Sequence, residues 1–400
     1  MNLLHVTPYL GPAWAFGGVP WAVASLARAQ VAAGHQVVVL TTDAMAPHER
    51  LPTGDTYVDG VRVIRVRNIS GAVRMWLNLS TPIGLRAPAR ALFQSQPIDV
   101  VHLHELRTVE NLLVVAEAPP TVPVVLSPHG TIGPGTGAVL AWATRAWDGS
   151  LGKGLLARVD QLVASCAAEA RELVALYSDR GLPLHQAAVT VVPDGVELSA
   201  FADVPDRAPA LARFDLGNGP VVLFLGQLSE RNGLSLLVSA FSEVVARVPR
   251  AQLLVAGPDH GVLADTRAQV RARGLDASVR FAGYLTGRDV RAAFAAADLC
   301  ARPALADGFP RAALEALASG VPVLLSAGCA FPEAAAAGAG CTLANETKAW
   351  ADVMGSLLAA PGPLEAMRGR TRRLAARYAW PAVAATLDDV YARARRGQPA

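Results

Sequence analysis

The chain has 400 residues, about half of them apolar, and a formal net charge of +3 from 36 basic and 33 acidic residues. Because this length exceeds the size at which a single hydrophobic core usually keeps growing, we expect two domains. The basic residues are spread along the chain and form no dense stripe that would neutralise many phosphates, which argues against nucleic acid as a partner.

Short apolar, β-branched runs alternate with longer amphipathic stretches, a pattern typical of βαβ units and a mostly parallel sheet. In the first half the predicted strands are residues 3–7, 36–42, 61–67, 99–104, 122–127, 161–165 and 189–193. In the second half they are residues 221–226, 252–257, 279–282, 299–303 and 321–326. The repeated pattern predicts an α/β protein with two Rossmann-like domains.

A polar, proline-containing stretch separates the two halves. Residues 201–209 cannot easily continue a helix or a central strand, so we expect the interdomain linker there, between domains at 1–203 and 210–375. A break at residues 378–381 precedes a predicted helix over 380–396, because proline suits the first turn of a helix. We expect this last segment, residues 376–400, to pack back on the N-terminal domain.

A glycine pair follows the first predicted strand, in Pro12-Ala-Trp-Ala-Phe-Gly-Gly-Val-Pro20. Gly17 and Gly18 precede a predicted helix over residues 21–32, whose N-terminus offers free N–H groups to an anion. The pair is compatible with an ordinary loop turn as well as with an anion site.

Histidines lie at the ends of two predicted strands, where ligands bind in doubly wound sheets. His129 ends one strand in Ser127-Pro-His-Gly-Thr131, as a ligand contact or as a structural hydrogen-bonding group. His102 and His104 are two residues apart and share one face of another strand. Because the sequence shows no third ligand nearby, we favour packing or cleft lining over a metal site for this pair.

The most specific run is Asp307-Gly-Phe-Pro-Arg-Ala-Ala-Leu-Glu315, which reads as a loop followed by a helix and, after a glycine stop, a buried strand. Asp307 and Glu315 are eight residues apart. An acid near a helix N-terminus can be only a cap, and one within a helix can be only a surface residue. Gly308, next to Asp307, favours close approach by a ligand.

With this run, the chain resembles the retaining GT-B glycosyltransferases of family 4 over nearly its whole length. The other shared segments are His5-Val-Thr-Pro8, the glycine pair, the His129 segment, Val192-Pro-Asp-Gly-Val-Glu197, Phe224-Leu-Gly-Gln227, Leu254-Val-Ala-Gly-Pro258 and Phe281-Ala-Gly283. The resemblance implies two facing Rossmann-like domains with a central cleft that holds the donor, a nucleoside-diphosphate sugar.

The resemblance also implies roles for individual residues. Asp307 would hold the donor sugar and Glu315 the ribose, while His129 would lie near the transferred sugar, so His129 and Asp307 are the catalytic candidates. The implied donor-binding residues are Gly17, Gly18, Gln227, Arg231, Asn232, Tyr284, Asp307, Gly308, Phe309, Pro310 and Glu315.

Three positions depart from the family pattern, and two of them lack an expected cation. The family usually carries an arginine after the glycine of Phe224-Leu-Gly-Gln and a lysine before Gly233, and this chain has Gln227 and Asn232 there. Two cations that would stabilise the departing diphosphate are therefore missing. Arg231 is the predicted substitute, since only two residues of this chain are lysines. Asp307 is one methylene shorter than the family's glutamate.

The remaining features concern compartment and metal. The four cysteines lie far apart and have no metal-ligand spacing, so we expect buried free thiols and no metal. The first ten residues lack the features of a signal peptide, and no apolar run approaches the length needed to span a bilayer, which predicts a cytoplasmic protein. Trp142 and Trp147, with Arg145, Lys153 and Arg158 nearby, leave peripheral membrane contact open as an alternative to a packed surface turn or an acceptor-cleft helix.

These patterns predict metal-independent, cofactor-free transfer of a hexosyl unit from a nucleoside-diphosphate sugar to a hydroxyl of a glycan or lipid-linked glycan, with retention implied by the resemblance. The missing cations keep a second reading open, a catalytically weak or inactive GT-B-like subunit that serves as a binding partner in a glycan assembly complex. A third reading is a sugar-nucleotide epimerase of the same architecture.

Overall fold

The computed structural model of the chain describes residues 1–71, 80–133, 138–183 and 188–397. The chain divides into two compact units. Unit 1 comprises Met1–Gly195 and Trp380–Ala400, and unit 2 comprises Val196–Ala379. Of the predicted C-terminal segment, residues 398–400 lie outside the described part.

Unit 1 is built on a mostly parallel sheet. Its described strands are β1 (Asn2–Val6), β2 (Gln36–Thr42), β3 (Gly54–Val58), β4 (Val61–Asn68), β5 (Pro82–Ile83), β6 (Val100–His104), β7 (Val124–Ser127), β8 (Gln161–Ala164) and β9 (Val189–Val191). They are arranged in the order β3-β4-β2-β1-β6-β7-β8-β9, with β5 pairing with β4. Only β3 and β5 among them run antiparallel to their neighbour. The order reverses between β1 and β6.

The described helices of unit 1 are α1 (Val19–Ala32), α2 (Arg86–Ser95), α3 (Val109–Val115), α4 (Ala138–Gly149), α5 (Leu151–Leu156), α6 (Ala167–Asp179) and, near the C-terminus, the helix Trp380–Arg396. Both faces of the sheet are covered. Successive residues of β1 point to opposite faces, so Leu3 packs in one buried cluster while Leu4 and Val6 pack in another. This explains the continuous apolar runs of the sequence.

Unit 2 contains a sheet whose described strands all run parallel. They are β10 (Val221–Leu225), β11 (Gln252–Ala256), β12 (Val279–Gly283), β13 (Leu299–Arg302), β14 (Val323–Ser326) and β15 (Gly340–Leu343). Their order is β12-β11-β10-β13-β14-β15, so it reverses between β10 and β13. Ligands of such sheets bind outside the carboxyl ends of the strands, next to this reversal.

The helices of unit 2 cover both faces of its sheet. They are α7 (Arg207–Arg213), α8 (Leu234–Arg247), α9 (Leu263–Ala272), α10 (Arg288–Ala296), α11 (Arg311–Ala318), α12 (Glu333–Ala336), α13 (Thr347–Ala359) and α14 (Pro361–Ala376). The C-terminal helix Trp380–Arg396 of unit 1 is therefore α15. On one face the core is built around Phe241 and Trp350, and on the other around Phe294 and Phe331.

The boundaries between the units differ from the predicted ones. The division falls after Gly195 and after Ala379, and residues 201–209 do not act as a linker. Phe201 is 7% exposed and packs in the core of unit 2, and α7 begins at Arg207. The apolar side chain at residue 201 ties this stretch to unit 2, although its prolines suggested a linker.

Candidate active site

Two glycines shape the carboxyl ends of the first strands of unit 2. Gly226 follows β10 and Gly257 follows β11, and their φ angles of 152° and 148° favour glycine. A Cβ atom at Gly226 would lie 2.1 Å from Nη1 of Arg302, and one at Gly257 would lie 1.8 Å from the carbonyl oxygen of Gly226. These contacts leave no room for a side chain, so the two loops pack backbone against backbone.

Arg302 is a buried cation beside these loops. It ends β13, and its side chain is 6% exposed. Nη1 donates to the carbonyl oxygen of Leu225 at 2.8 Å, while Nη2 donates to the Asp307 carboxylate at 2.6 Å and to Oδ1 of Asn232 at 3.4 Å. Burial opposes the charge, but the Asp307 carboxylate outweighs it and raises the pKa of Arg302. Asp307 is therefore ion-paired within unit 2.

Arg302 is a site residue that the sequence patterns did not indicate, although the predicted strand 299–303 contains it. Charged side chains are almost never fully buried unless they are paired. An arginine in the apolar run Leu-Cys-Ala-Arg was therefore a signal for an acidic partner nearby, and Asp307 is five residues further along the chain.

The loop after Asp307 has a defined geometry. Gly308 has a φ of 62°, a left-handed conformation that favours glycine, and an added Cβ atom would meet nothing within 4 Å. Its carbonyl oxygen accepts a hydrogen bond from the Ala330 amide at 2.8 Å. The Phe309 ring packs 5.0 Å from the Phe331 ring, centroid to centroid, and Pro310 caps α11. The glycine is thus required by the turn itself, which weakens it as a sign of ligand approach.

Glu315, the second acid of the motif, lies within α11. Its side chain is 15% exposed, and Oε1 lies 3.4 Å from Nε of Arg311, one helical turn earlier. Burial raises the pKa of Glu315, and the Arg311 charge opposes this shift. The carboxyl group is therefore a half-buried acceptor and not a solvated surface residue.

Gln227 and Asn232, at the positions of the missing cations, and Arg231, their predicted substitute, have different environments. Gln227 is exposed, and its backbone carbonyl oxygen accepts a hydrogen bond from Nδ2 of Asn232 at 2.8 Å. Asn232 is 8% exposed, and both ends of its side-chain amide make hydrogen bonds within unit 2. Arg231 is exposed, and its Nε donates to the neutral carbonyl oxygen of Ala306 at 2.6 Å. Arg231 therefore faces a neutral partner, whereas Arg302 faces a carboxylate.

Tyr284 follows β12 at the same carboxyl edge of the unit 2 sheet, and it is 64% exposed. Its side chain stands in solvent, which leaves the backbone of this segment accessible to a ligand.

In unit 1, the glycine pair begins α1. Gly17 has a φ of 98°, and Gly18 is the N-cap residue of the helix. No side chain in the described part of the chain caps this helix end. A helix N-terminus of this kind suits an anionic group.

His129 lies two residues after the end of β7 in unit 1. It has a φ of 52°, which is uncommon for a residue with a side chain and is typical of functional sites. The adjacent Gly130 amide donates to Oε1 of Glu169. The other oxygen of this carboxylate, Oε2, accepts from the backbone amide and the hydroxyl group of Ser165. Glu169 thereby fixes the backbone on which His129 is mounted.

The His129 ring is mostly buried, with 14% of its side chain exposed, and it lies between a carboxylate and another imidazole. Nδ1 is 3.7 Å from Oδ1 of Asp194, and Nε2 is 2.9 Å from Nδ1 of His104. Burial opposes a charge on the ring, but Asp194, together with Glu169 and Glu105, outweighs it and raises the pKa of His129. His129 therefore keeps its positive charge to a higher pH than a free imidazole does.

The structure supplies the third histidine that the sequence did not show. Ring nitrogens of His5, His102 and His104 lie within 4.8 Å of one another, a spacing compatible with a metal ion. Each ring nitrogen of the three already has a hydrogen-bond partner, in Gln30, Tyr391, Ser127, His129 or one another. Hydrogen bonding thus accounts for all six nitrogens.

The aromatic segment proposed for membrane contact is only partly exposed. Trp142 on α4 is 71% exposed, whereas Trp147 is half-buried. Arg158 donates to the carbonyl oxygens of Pro119 and Val122, so it is committed to the fold. In the part of the chain that the structure describes, no helix has the length and apolar character needed to cross a bilayer.

The chain is similar to known protein families over both of its units. A family model described as a glycosyl transferase 4-like domain matches residues 17–195, and one described as glycosyl transferases group 1 matches residues 219–360. The D-inositol 3-phosphate glycosyltransferase of Kineococcus radiotolerans is 33% identical over 257 residues, which cover 59% of this chain and 57% of that protein. The chain thus spans little more than half the length of this curated relative.

Two solved structures share the fold. Sucrose-phosphate synthase from Thermosynechococcus elongatus superposes with a TM-score of 0.73 at 20% identity, covering 100% of both chains. Anabaena HepE in complex with UDP and glucose superposes with a TM-score of 0.69 at 15% identity, covering 98% of this chain and 99% of that one. At these identities the comparison shows the architecture alone.

Proposed function

Because the chain belongs to the GT-B glycosyltransferases of the family 4 type, we propose that it moves a hexosyl unit from a nucleoside-diphosphate sugar to a hydroxyl of a glycan or lipid-linked glycan, with retention and without a metal ion. The observation that carries this proposal is the Arg302–Asp307–Asn232 network of unit 2. It lies at the carboxyl ends of β10 and β13, where the strand order reverses.

Unit 2 is the proposed donor-binding unit. The packed loops at Gly226 and Gly257 let a diphosphate approach the backbone closely, as glycine-rich turns do at strand ends. Asp307, held in place by Arg302, would accept hydrogen bonds from sugar hydroxyls, and Glu315 would accept them from the ribose. Asp307 is 21% exposed on its side chain, so its second oxygen remains open to a ligand.

We assign the stabilisation of the leaving diphosphate to Arg231. The charge of Arg302 is balanced by Asp307, whereas Arg231 contacts a neutral carbonyl and keeps its net positive charge. Departure of the sugar from the diphosphate is the step at which negative charge develops, and a fixed cation stabilises it most strongly there. Attack by the acceptor on the same face, with the diphosphate accepting its proton, would give retention.

The first experiment is a transfer and hydrolysis assay with a panel of uridine, guanosine and adenosine diphosphate sugars, with NMR of the product to read the anomeric configuration. With the accepted donor, Asp307→Asn is expected to lower kcat/KM about ten- to a hundredfold, since a charged hydrogen bond contributes about 1.5–3 kcal/mol. Asp276→Asn, an exposed acid of unit 2, is the matched control. Equal losses in both variants would refute the assignment.

The second candidate function is a binding subunit with little or no turnover. Gln227 and Asn232 favour it, because neither carries a charge and the Asn232 amide is already used at both ends. Calorimetric binding of a nucleoside diphosphate without turnover of any sugar in the panel would support this candidate over the first. Formation of an isomeric nucleotide sugar in the absence of acceptor would point to an epimerase.

A further inference from the structure

A continuous line of hydrogen bonds runs through the core of unit 1 and ends at His129. Gln30 Oε1 contacts His5 Nε2 at 2.8 Å, His5 Nδ1 contacts His104 Nε2 at 2.8 Å, and His104 Nδ1 contacts His129 Nε2 at 2.9 Å. Because β1 pairs with β6, and β6 with β7, the strand pairing brings the three histidines together. We call Gln30, His5 and His104 the imidazole relay.

The relay histidines are neutral. His5 and His104 are fully buried. Burial lowers the pKa of His5 to about 4, and burial together with the neighbouring histidines lowers the pKa of His104 well below its ordinary value. A neutral imidazole has one N–H donor and one acceptor nitrogen. A ring that donates from one nitrogen must therefore accept at the other, so the hydrogen bonds of the relay all run in the same direction.

The direction is set by Gln30. Its Oε1 faces His5 and accepts, so His5 carries its proton on Nε2 and accepts at Nδ1. His104 must then donate from Nε2 and accept at Nδ1, which requires a proton on Nε2 of His129. The other end of the Gln30 amide contacts Tyr391 of α15, whose hydroxyl accepts from Gln30 Nε2 at 3.0 Å.

A second branch of hydrogen bonds starts at Nε2 of Gln30, the other end of its side-chain amide. The Tyr391 hydroxyl, having accepted from Gln30, donates to His102 Nδ1 at 2.7 Å, and His102 Nε2 then donates to Ser127 Oγ at 2.7 Å. Each contact along the two branches then pairs one donor with one acceptor. The C-terminal helix therefore takes part in the network that ends at His129.

We propose that His5 and His104 are positioning residues that hold His129 as its Nε2–H tautomer, so that Nδ1 is the ring nitrogen left to take up or release a proton. Nδ1 is the nitrogen that lies 3.7 Å from Asp194. The role of His129 in transfer rests on the proposed function, whereas its tautomer does not depend on turnover.

The carboxylates that act on the His129 ring come from three segments of unit 1. Asp194 follows β9, Glu105 follows β6, and Glu169 lies in the first turn of α6. All three favour a proton on His129, while His104 offers an acceptor to its Nε2–H. A charged His129 is therefore compatible with the relay, and loss of that charge removes the proton from Nδ1.

The test is long-range ¹H–¹⁵N NMR of the full chain labelled with ¹⁵N-histidine, with the His129 signals assigned by their loss in His129→Gln. At a pH above that at which His129 loses its charge, the wild type is expected to show neutral His129 with a proton on Nε2. In His104→Leu, which removes the acceptor, we expect a mixture of tautomers. His104→Asn is expected to keep the wild-type tautomer, because the Oδ1 of asparagine can replace Nδ1 as acceptor. His48→Asn, at an exposed position of unit 1, is the control.

Three results would overturn the proposal: a proton on Nδ1 and not on Nε2 of neutral His129 in the wild type, an unchanged tautomer in a folded His104→Leu variant, or stoichiometric Zn²⁺ binding that depends on His5. The wild-type spectrum decides even if His104→Leu does not fold.

Activity gives a separate readout. We expect kcat of His104→Leu to fall about tenfold or more with donor KM unchanged, and to recover in His104→Asn, because His129 is the catalytic candidate near the transferred sugar and a small misplacement there can cost up to about a hundredfold in rate. The pH profile of His104→Leu should also shift to lower pH, since a charged His129 loses its acceptor. A wild-type Nε2–H tautomer in a protein that turns over no donor would refute the proposed function and leave the relay standing.

Discussion

The imidazole relay makes the stability of unit 1 sensitive to acid, and His5 allows the size of the effect to be worked out. Its pKa is about 4 in the folded protein and 6.5 in the unfolded chain. The unfolded chain binds the proton more readily, so the contribution of His5 is fully present above pH 6.5 and is lost as the pH falls towards 4. At pH 5, one and a half pH units below 6.5, the loss is about 2 kcal/mol at 1.36 kcal/mol for each pH unit.

The perturbation is His5→Gln, which does not titrate and can still reach Gln30. We expect wild-type stability to fall between pH 7 and pH 5 by about 2 kcal/mol more than the stability of the variant, whatever their absolute stabilities. The raised pKa of His129 acts in the opposite direction, since its contribution is present below pH 6.5 and is lost as the pH rises through the folded value. His129 is present in both proteins, so its contribution cancels when the two losses of stability are compared.

The assay is urea unfolding followed by tryptophan fluorescence at pH 7 and pH 5. Six of the seven tryptophans lie in the ranges of unit 1, and the exception is Trp350, so the signal reports mainly on this unit. His48→Gln is the control, because His48 is exposed. If His5→Gln and the wild type lose the same stability on acidification, His5 is not a neutral buried ring and the proton accounting of the relay is wrong.

Three further predictions concern unit 2. Gly257→Ala should destabilise unit 2 by about 3 kcal/mol or more in thermal unfolding, because its Cβ atom would collide with the Gly226 carbonyl, whereas Gly217→Ala, with a nearest contact of 3.4 Å, should be tolerated. Gln227→Arg, at an exposed position, should raise nucleoside diphosphate affinity about tenfold by calorimetry, and an unchanged affinity would place the phosphates elsewhere. Arg231→Ala should lower kcat/KM by the equivalent of about 2–4 kcal/mol, and an unchanged rate would end its assignment to the leaving group.

The sequence predicted the strands that are buried on both faces, since their apolar runs are continuous. Twelve predicted strands appear at their expected places, whereas β3, β5 and β15 were missed. Every residue of β3 is exposed, so it has no buried face to leave a periodic pattern, and β5 has only two residues. The C-terminal helix was predicted at its observed bounds because proline marked its first turn.

The site was only partly predictable for a different reason. The rule that ligands lie at strand ends selected His129, and the motif with Glu315 selected Asp307, but the network around His129 draws on residues from elsewhere in the chain. Gln30 and Tyr391 are 361 residues apart in the chain and meet only because α1 and α15 pack together. Such contacts between helices leave no local pattern in the sequence, so the relay required coordinates.

The ion pair between Arg302 and Asp307 raises the question of whether Asp307 serves the donor or only the fold, and a double variant separates the two. Arg302→Met alone leaves the Asp307 carboxylate without its cation and should cost about 3–5 kcal/mol of stability, because breaking a buried pair exposes an uncompensated charge. Adding Asp307→Asn removes that charge, so thermal unfolding should show part of the stability restored.

Transfer activity should not return in the double variant, since the proposed acceptor of the sugar hydroxyls is then neutral. Asp307→Asn alone gives the matching comparison, with the arginine left unpaired. If activity recovers in parallel with stability, Asp307 acts only as the structural partner of Arg302, and the sugar contact must be sought at another residue of unit 2. Recovery of stability without activity would identify Asp307 as a group that the donor needs directly.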